Sequence, residues 1–197
     1  DFPVKDAIQE TLGGGYDGFV TKFSFLTCPM EMVYSTYLGG EANDNAWQLA
    51  VGKNQSVYLA GYVNSDSFPT QEPFQAQKAG GQDVYVARIN PGGTYLAYST
   101  YLGGSANEVI ADIAVDCKVN PEVYVFGGTM SLDFPVYNPY QGSNAGLMDA
   151  FVSKFTFSNS TPSFPLSLGK KDLLRLAIGS SGYATVPGDF SPGLLWE

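Results

Sequence analysis

The chain has 197 residues, 44% hydrophobic and only 15% charged, against roughly 25% charged in an average globular protein; that is ample apolar material for one good-sized domain or two small ones. Nineteen acidic residues against ten basic ones leave a net charge of −9, which argues against nucleic acid or an anionic membrane surface as a partner, because both need clustered cations. Histidine is absent, and with it go Ser-His and Cys-His nucleophile pairs and His-ligated zinc or haem.

In chain order the same landmarks keep returning. Residues 1–38 carry Phe2-Pro3, Gln9, a Gly13-Gly14-Gly15 loop, Asp17 and Lys22, and run into Tyr34-Ser-Thr-Tyr-Leu-Gly-Gly40. Phe68-Pro69, Gln75, Asp83 and Arg88 follow with identical spacing, and Phe134-Pro135, Gln141, Asp149 and Lys154 follow again after an equal step. The string Tyr34–Gly40 returns unchanged as Tyr98–Gly104. A period of this kind organises a chain before any secondary structure does.

Within one period the runs Asn45–Gly52, Val57–Val63, Asp83–Ile89 and Tyr95–Leu102 are short, rich in Val, Tyr, Leu and Thr, and separated by turn residues, which fits strands. Asn90-Pro91-Gly92-Gly93 has hairpin chemistry: proline presets φ and glycine supplies φ > 0. No helical periodicity longer than a few residues interrupts them. The expected fold class is all-β, each period a four-stranded antiparallel meander of the kind that forms a β-propeller blade. Residues 1–38 then make an outer half blade, about 45–102 and 110–168 two whole blades, and about 173–187 a final inner half. The well-phased repeats cover 1–157; 158–197 is a degraded repeat completing the last blade, plus a tail. The chain opens inside a repeat with no basic, then apolar leader, so the expectation is a processed product or a piece of something longer.

Three blades are too few to close a ring, which takes roughly four to eight. If each bare blade face exposes roughly 400–600 Å² of apolar surface, covering it is worth about 10–15 kcal/mol, more than many whole domains have in reserve. Two resolutions stay open: excision from a longer propeller, or two copies joined head to tail into six blades.

The strings Tyr-Ser-Thr-Tyr-Leu-Gly-Gly, Ser-Phe-Pro or Asp-Phe-Pro, and Asp-(Ala/Gly/Val)-(Phe/Tyr)-Val-x-(Lys/Arg) resemble the SBBP-type bacterial β-propeller repeat. The resemblance implies an extracellular or cell-surface propeller and carries no common catalytic set. Asp116-Cys-Lys-Val-Asn-Pro121 departs from that pattern as a longer hairpin tip.

Asp17, Asp83 and Asp149 each follow a Gly-containing loop and open a strand, so each is expected to accept backbone N–H bonds and lock loop to sheet. The alternative, a calcium ligand, needs six to eight converging oxygens, and no loop of that design is present. Gln9, Gln75 and Gln141 keep the same phase, and Phe2, Phe68 and Phe134 are expected to plug the gaps between neighbouring blades. Asn43 and Asp44, with Asn107 and Glu108 one repeat on, sit at the crossover toward the axis, either as turn formers or as a cation or sugar site. Lys22, Arg88 and Lys154 are expected to pair with a carboxylate or carbonyl between blades. Trp47, Tyr62, Tyr137 and Tyr140 are candidates for stacking on sugars, with packing between blades the expected use of Trp47. Cys28 and Cys117 fall at hairpin tips two blades apart in phase, too far for a bridge, and are expected free or linked to another chain.

No catalytic residue, metal or cofactor emerges. The leading expectation is a non-enzymatic extracellular or cell-surface scaffold acting through protein contacts or self-association, without nucleic acid or membrane insertion. A carbohydrate-binding module is the alternative, and a glycan-active enzyme with paired carboxylates the third.

Overall fold

The structure, a computed structural model, describes residues 1–26, 28–158 and 161–163. The final inner half expected at 173–187, and residues 164–168 of the last whole blade, lie outside the described residues.

Among the described residues the chain is all-β, without a helix, and its strands form three antiparallel sheets. The first sheet pairs β1 (Gly18–Ser24) with β2 (Glu31–Leu38). The second is a meander of β3 (Asp44–Val51), β4 (Val57–Val63), β5 (Asp83–Ile89) and β6 (Leu96–Leu102). The third repeats that order in β7 (Glu108–Val115), β8 (Glu122–Thr129), β9 (Asp149–Ser158) and β10 (Thr161–Ser163). The copying extends to irregularities: β3 bulges between Ala46 and Gln48, and β7 bulges at the equivalent place between Ile110 and Asp112.

The sheets stack face to face, and the period of two along a strand decides which side chain goes where. On β4 and β5, Val57, Leu59, Tyr85, Ala87 and Ile89 pack with Val20, Tyr34 and Leu38 of the first sheet. The residues between them, Tyr58, Ala60, Val84 and Val86, pack with Ile113, Val123, Val125 and Phe155 of the third. Covered on both faces, β4 and β5 read as nearly continuous apolar runs, as strands buried on both faces do.

The turn expected at Asn90–Gly93 forms. Asn90 Oδ1 accepts from the backbone N–H of Thr94 and Tyr95 at 2.8 and 3.0 Å, and Gly93 N donates to Asn90 O at 3.0 Å. Gly93 adopts φ 74°, and a Cβ there would collide with the Tyr34 ring of the first sheet. The turn is thereby a docking surface between sheets as well as a strand connection.

Candidate functional site

The recurrent Gln and Asp form a latch, three times over. Asp17 Oδ2 accepts from Gly13 N and Gln9 Nε2, both at 2.8 Å. Asp83 Oδ2 accepts from Ala79 N at 2.9 Å and Gln75 Nε2 at 3.3 Å; Asp149 Oδ2 accepts from Ala145 N at 2.8 Å and Gln141 Nε2 at 2.6 Å. The amide's other end reaches the crossover, where Gln9 Oε1 accepts from Gly39 N at 3.0 Å and Gln75 Oε1 from Gly103 N at 3.1 Å. A residue with a donor and an acceptor on one planar group is what such a bridge needs.

The crossover residues Asn43, Asp44, Asn107 and Glu108 are brought together with the loops, and their oxygens are spent there. Asp44 is fully buried and accepts from Gly40 N and Ser65 Oγ, both at 2.6 Å, and from Asn64 N at 2.9 Å. Glu108, equally buried, accepts from Gly104 N at 3.1 Å, Thr129 Oγ1 at 2.6 Å and Ser131 Oγ at 2.7 Å. Asn43 Oδ1 takes the N–H of Tyr16 at 3.2 Å, and Asn107 Oδ1 that of Gln82 at 2.9 Å. Each asparagine thus ties the loop before a latch strand, β1 or β5, to the start of the next sheet. Among the described residues no three His, Cys, Asp or Glu side chains come together around a point where a metal ion would sit.

Asp83 and Glu108 both crowd Gly103: a Cβ there would fall 2.5 Å from Asp83 Oδ1 and 2.6 Å from Glu108 Oε2. Asp83 Oδ1 is buried without a hydrogen-bond partner. Burial, with Glu108's negative charge adding to it, pushes the Asp83 carboxyl up to about 6.

A further bridge was not legible in any single repeat. Glu41 accepts from the backbone N–H of Asp66 at 2.8 Å and Ser67 at 3.0 Å and from the Ser67 hydroxyl, which holds it down to about 2. One repeat on, the ends are exchanged: Asp133 accepts from Ser105 N and Oγ, both at 2.8 Å. The signal was present as the pair Glu41/Ser67 becoming Ser105/Asp133 at equivalent positions, a swap visible only when two distant columns are compared.

The basic set plays three parts. Lys22 Nζ donates to Pro91 O at 3.1 Å across the first and second sheets. Arg88 lies 5.7 Å from the centroids of both Tyr58 and Phe157, between the second and third sheets, and its Nε donates to Ser56 Oγ at 3.3 Å. Lys154 stays within its own sheet, 2.8 Å from Glu122. Hydrogen bonds from Lys118 first, and from Lys154, hold Glu122 down to about 2. The expectation of a bond between blades therefore fits Lys22 alone; aromatic faces stabilise Arg88, and Lys154 pairs locally.

Phe68, Phe134 and Phe2 each meet the aromatic ring just beyond the latch aspartate of their own repeat: Phe68–Tyr85 at 4.4 Å, Phe134–Phe151 and Phe2–Phe19 at 4.6 Å between centroids. Trp47 is 55% exposed and rests 5.6 Å from Tyr62, because the bulge at Ala46/Gln48 takes it out of the ladder. Tyr137 and Tyr140 line a groove of about 240 Å³ between the loop after β8 and the edge of β9, with Gln141, Asn144 and Lys154 beside them. Cys28 and Cys117 are free and exposed, in the loops after β1 and β7.

No protein-family model matches the chain, and no curated protein matches it significantly.

Proposed function

We propose that the three sheets are an outer half blade and two whole blades of a β-propeller of the SBBP-type repeat, and that the protein is a non-enzymatic scaffold outside the cell or on its surface. It works through protein contacts or self-association. The observation that carries this reading is the reuse of one packing scheme: repeat-equivalent faces stack on one another, and the crossover polar groups are consumed in holding loops to strands. The surfaces left over are the apolar outer faces of the end sheets. Cross-linking on intact source cells, followed by mass spectrometry, tests it. Cross-links from Lys5 on the first sheet and Lys118 on the third, both exposed, to protein are expected. Turnover of a glycan polymer by the purified protein, or the absence of any surface-accessible protein, would overturn the reading.

A carbohydrate-binding module is the second reading. It is favoured by the 240 Å³ groove, where Tyr137 and Tyr140 are 53% and 59% exposed next to amide and ammonium donors, the mix of rings and polar groups that sugars need. Glycan-array binding lost in Tyr137→Ala supports it, and an array with no binding removes it.

A further inference from the structure

Both junctions in the stack are built alike, and their chemistry says what the uncovered end of the first sheet accepts. Phe19 and Phe23 occupy the places of Tyr85 and Ile89 in the second sheet and of Phe151 and Phe155 in the third. Tyr85 and Ile89 are fully buried under the first sheet, whereas Phe19 is 56% exposed and Phe23 42%. Phe2 and Tyr37 sit beside Phe19, as Phe68 and Tyr101 sit beside Tyr85. The first sheet therefore turns outward the face by which its siblings receive a neighbour.

A second uncovered feature adjoins it. Leu49 and Val51 of β3 hold the places that Ile113 and Val115 hold in β7, one repeat on. Ile113 is 5% exposed beneath the second sheet, yet Leu49 is 59% and Val51 62% exposed, because among the described residues the first sheet has two strands where the second has four. The result is an apolar step flanked by β1, which among the described residues is paired along one edge only. At the far end of the stack the third sheet turns outward Tyr124, Phe126 and Val152, whose second-sheet counterparts Tyr58, Ala60 and Val86 carry the third sheet.

We propose that these surfaces are one interface: a second copy of this chain docks head to tail, its third sheet against the first sheet of its partner and the reverse. The inference rests on the propeller reading and names its partner. A single head-to-tail contact would run on into a filament; two such contacts related by a twofold axis close. The closed pair would hold six sheets, inside the range of about four to eight that propellers use.

Light scattering on the purified chain tests the pairing. A mass twice the 21.1 kDa of one chain is expected, and a folded species at 21.1 kDa overturns the pairing while leaving the sheet stacking intact. Phe19→Glu and Val152→Glu place a charge on opposite ends of the stack at exposed positions. Each alone should weaken association at least about 100-fold, the scale of a central interface residue. Their equimolar mixture should recover association, because one of its two contacts pairs two unaltered faces. Variants that remain dimeric, or a mixture no tighter than either variant, overturn the proposal. Circular dichroism checks that each variant keeps its strands, and Leu49→Lys replaces Phe19→Glu should that one unfold.

Discussion

A carboxylate with both oxygens filled by the protein behaves differently from one with an oxygen left over, and Asp44 and Glu108 are of the first kind. Asp83 is of the second: its Oδ1, like that of Asp17, is buried without a partner, and it lies beside Glu108. Its carboxyl titrates near 6, above the usual 3.8, so the folded state prefers it protonated. The associated stability is complete below about pH 4 and is lost as pH rises through 6, a loss of about 2–3 kcal/mol from a shift of this size. Glu41 and Glu122, both held near 2, work in the opposite direction and lose their contribution as pH falls from about 4.5 toward 2. Urea unfolding across pH should therefore peak in stability near pH 4–5. Asp83→Asn should flatten the fall toward neutrality and raise stability at pH 7, since an amide can keep accepting from Ala79 N while its NH₂ faces Glu108. A variant less stable than the parent at pH 7 would contradict the assignment.

At the scale of elements, strands were legible because their signal is local. Val57–Val63 and Asp83–Ile89 form at the expected residues, and the turn between β5 and β6 follows from Asn90-Pro-Gly-Gly93 itself. The turn's second role was hidden, because Tyr34 lies a whole sheet earlier in the chain and meets Gly93 only after the sheets stack. Gly93→Ala combines a left-handed φ of 74° with a collision against that ring, and should cost about 2–4 kcal/mol. Thermal unfolding measures it; a change below about 0.5 kcal/mol, the usual range for an inert surface site, would show that the turn does not dock.

Across the whole molecule, stability should follow the number of covered faces. β4 and β5 are buried on both sides, while β1 belongs to a two-stranded sheet with Phe19 and Phe23 exposed. In the monomeric Phe19→Glu variant, hydrogen exchange by mass spectrometry should find the slowest amides in β4 and β5 and the fastest strand amides in β1, since local opening is cheapest where fewest apolar contacts are lost. The paired parent chain should protect β1 more strongly, and protection of β1 equal to that of β4 and β5 in the variant would contradict this ordering.

The sequence by itself determined the period, the strands, the phase of the Gln–Asp latch and the absence of histidine chemistry, because each is written in neighbouring residues or in a count. Only the tertiary structure decided what the polar crossover residues do. Asp44 and Glu108 find their hydroxyl partners in Ser65 and Ser131, each beyond the next strand of its own sheet, so candidate ligands became internal acceptors once the chain had folded back. It also decided burial between equivalent positions. Leu49 and Ile113 carry the same pattern, yet one is exposed and the other covered, because burial belongs to the sheet that arrives opposite and not to the strand that carries the side chain.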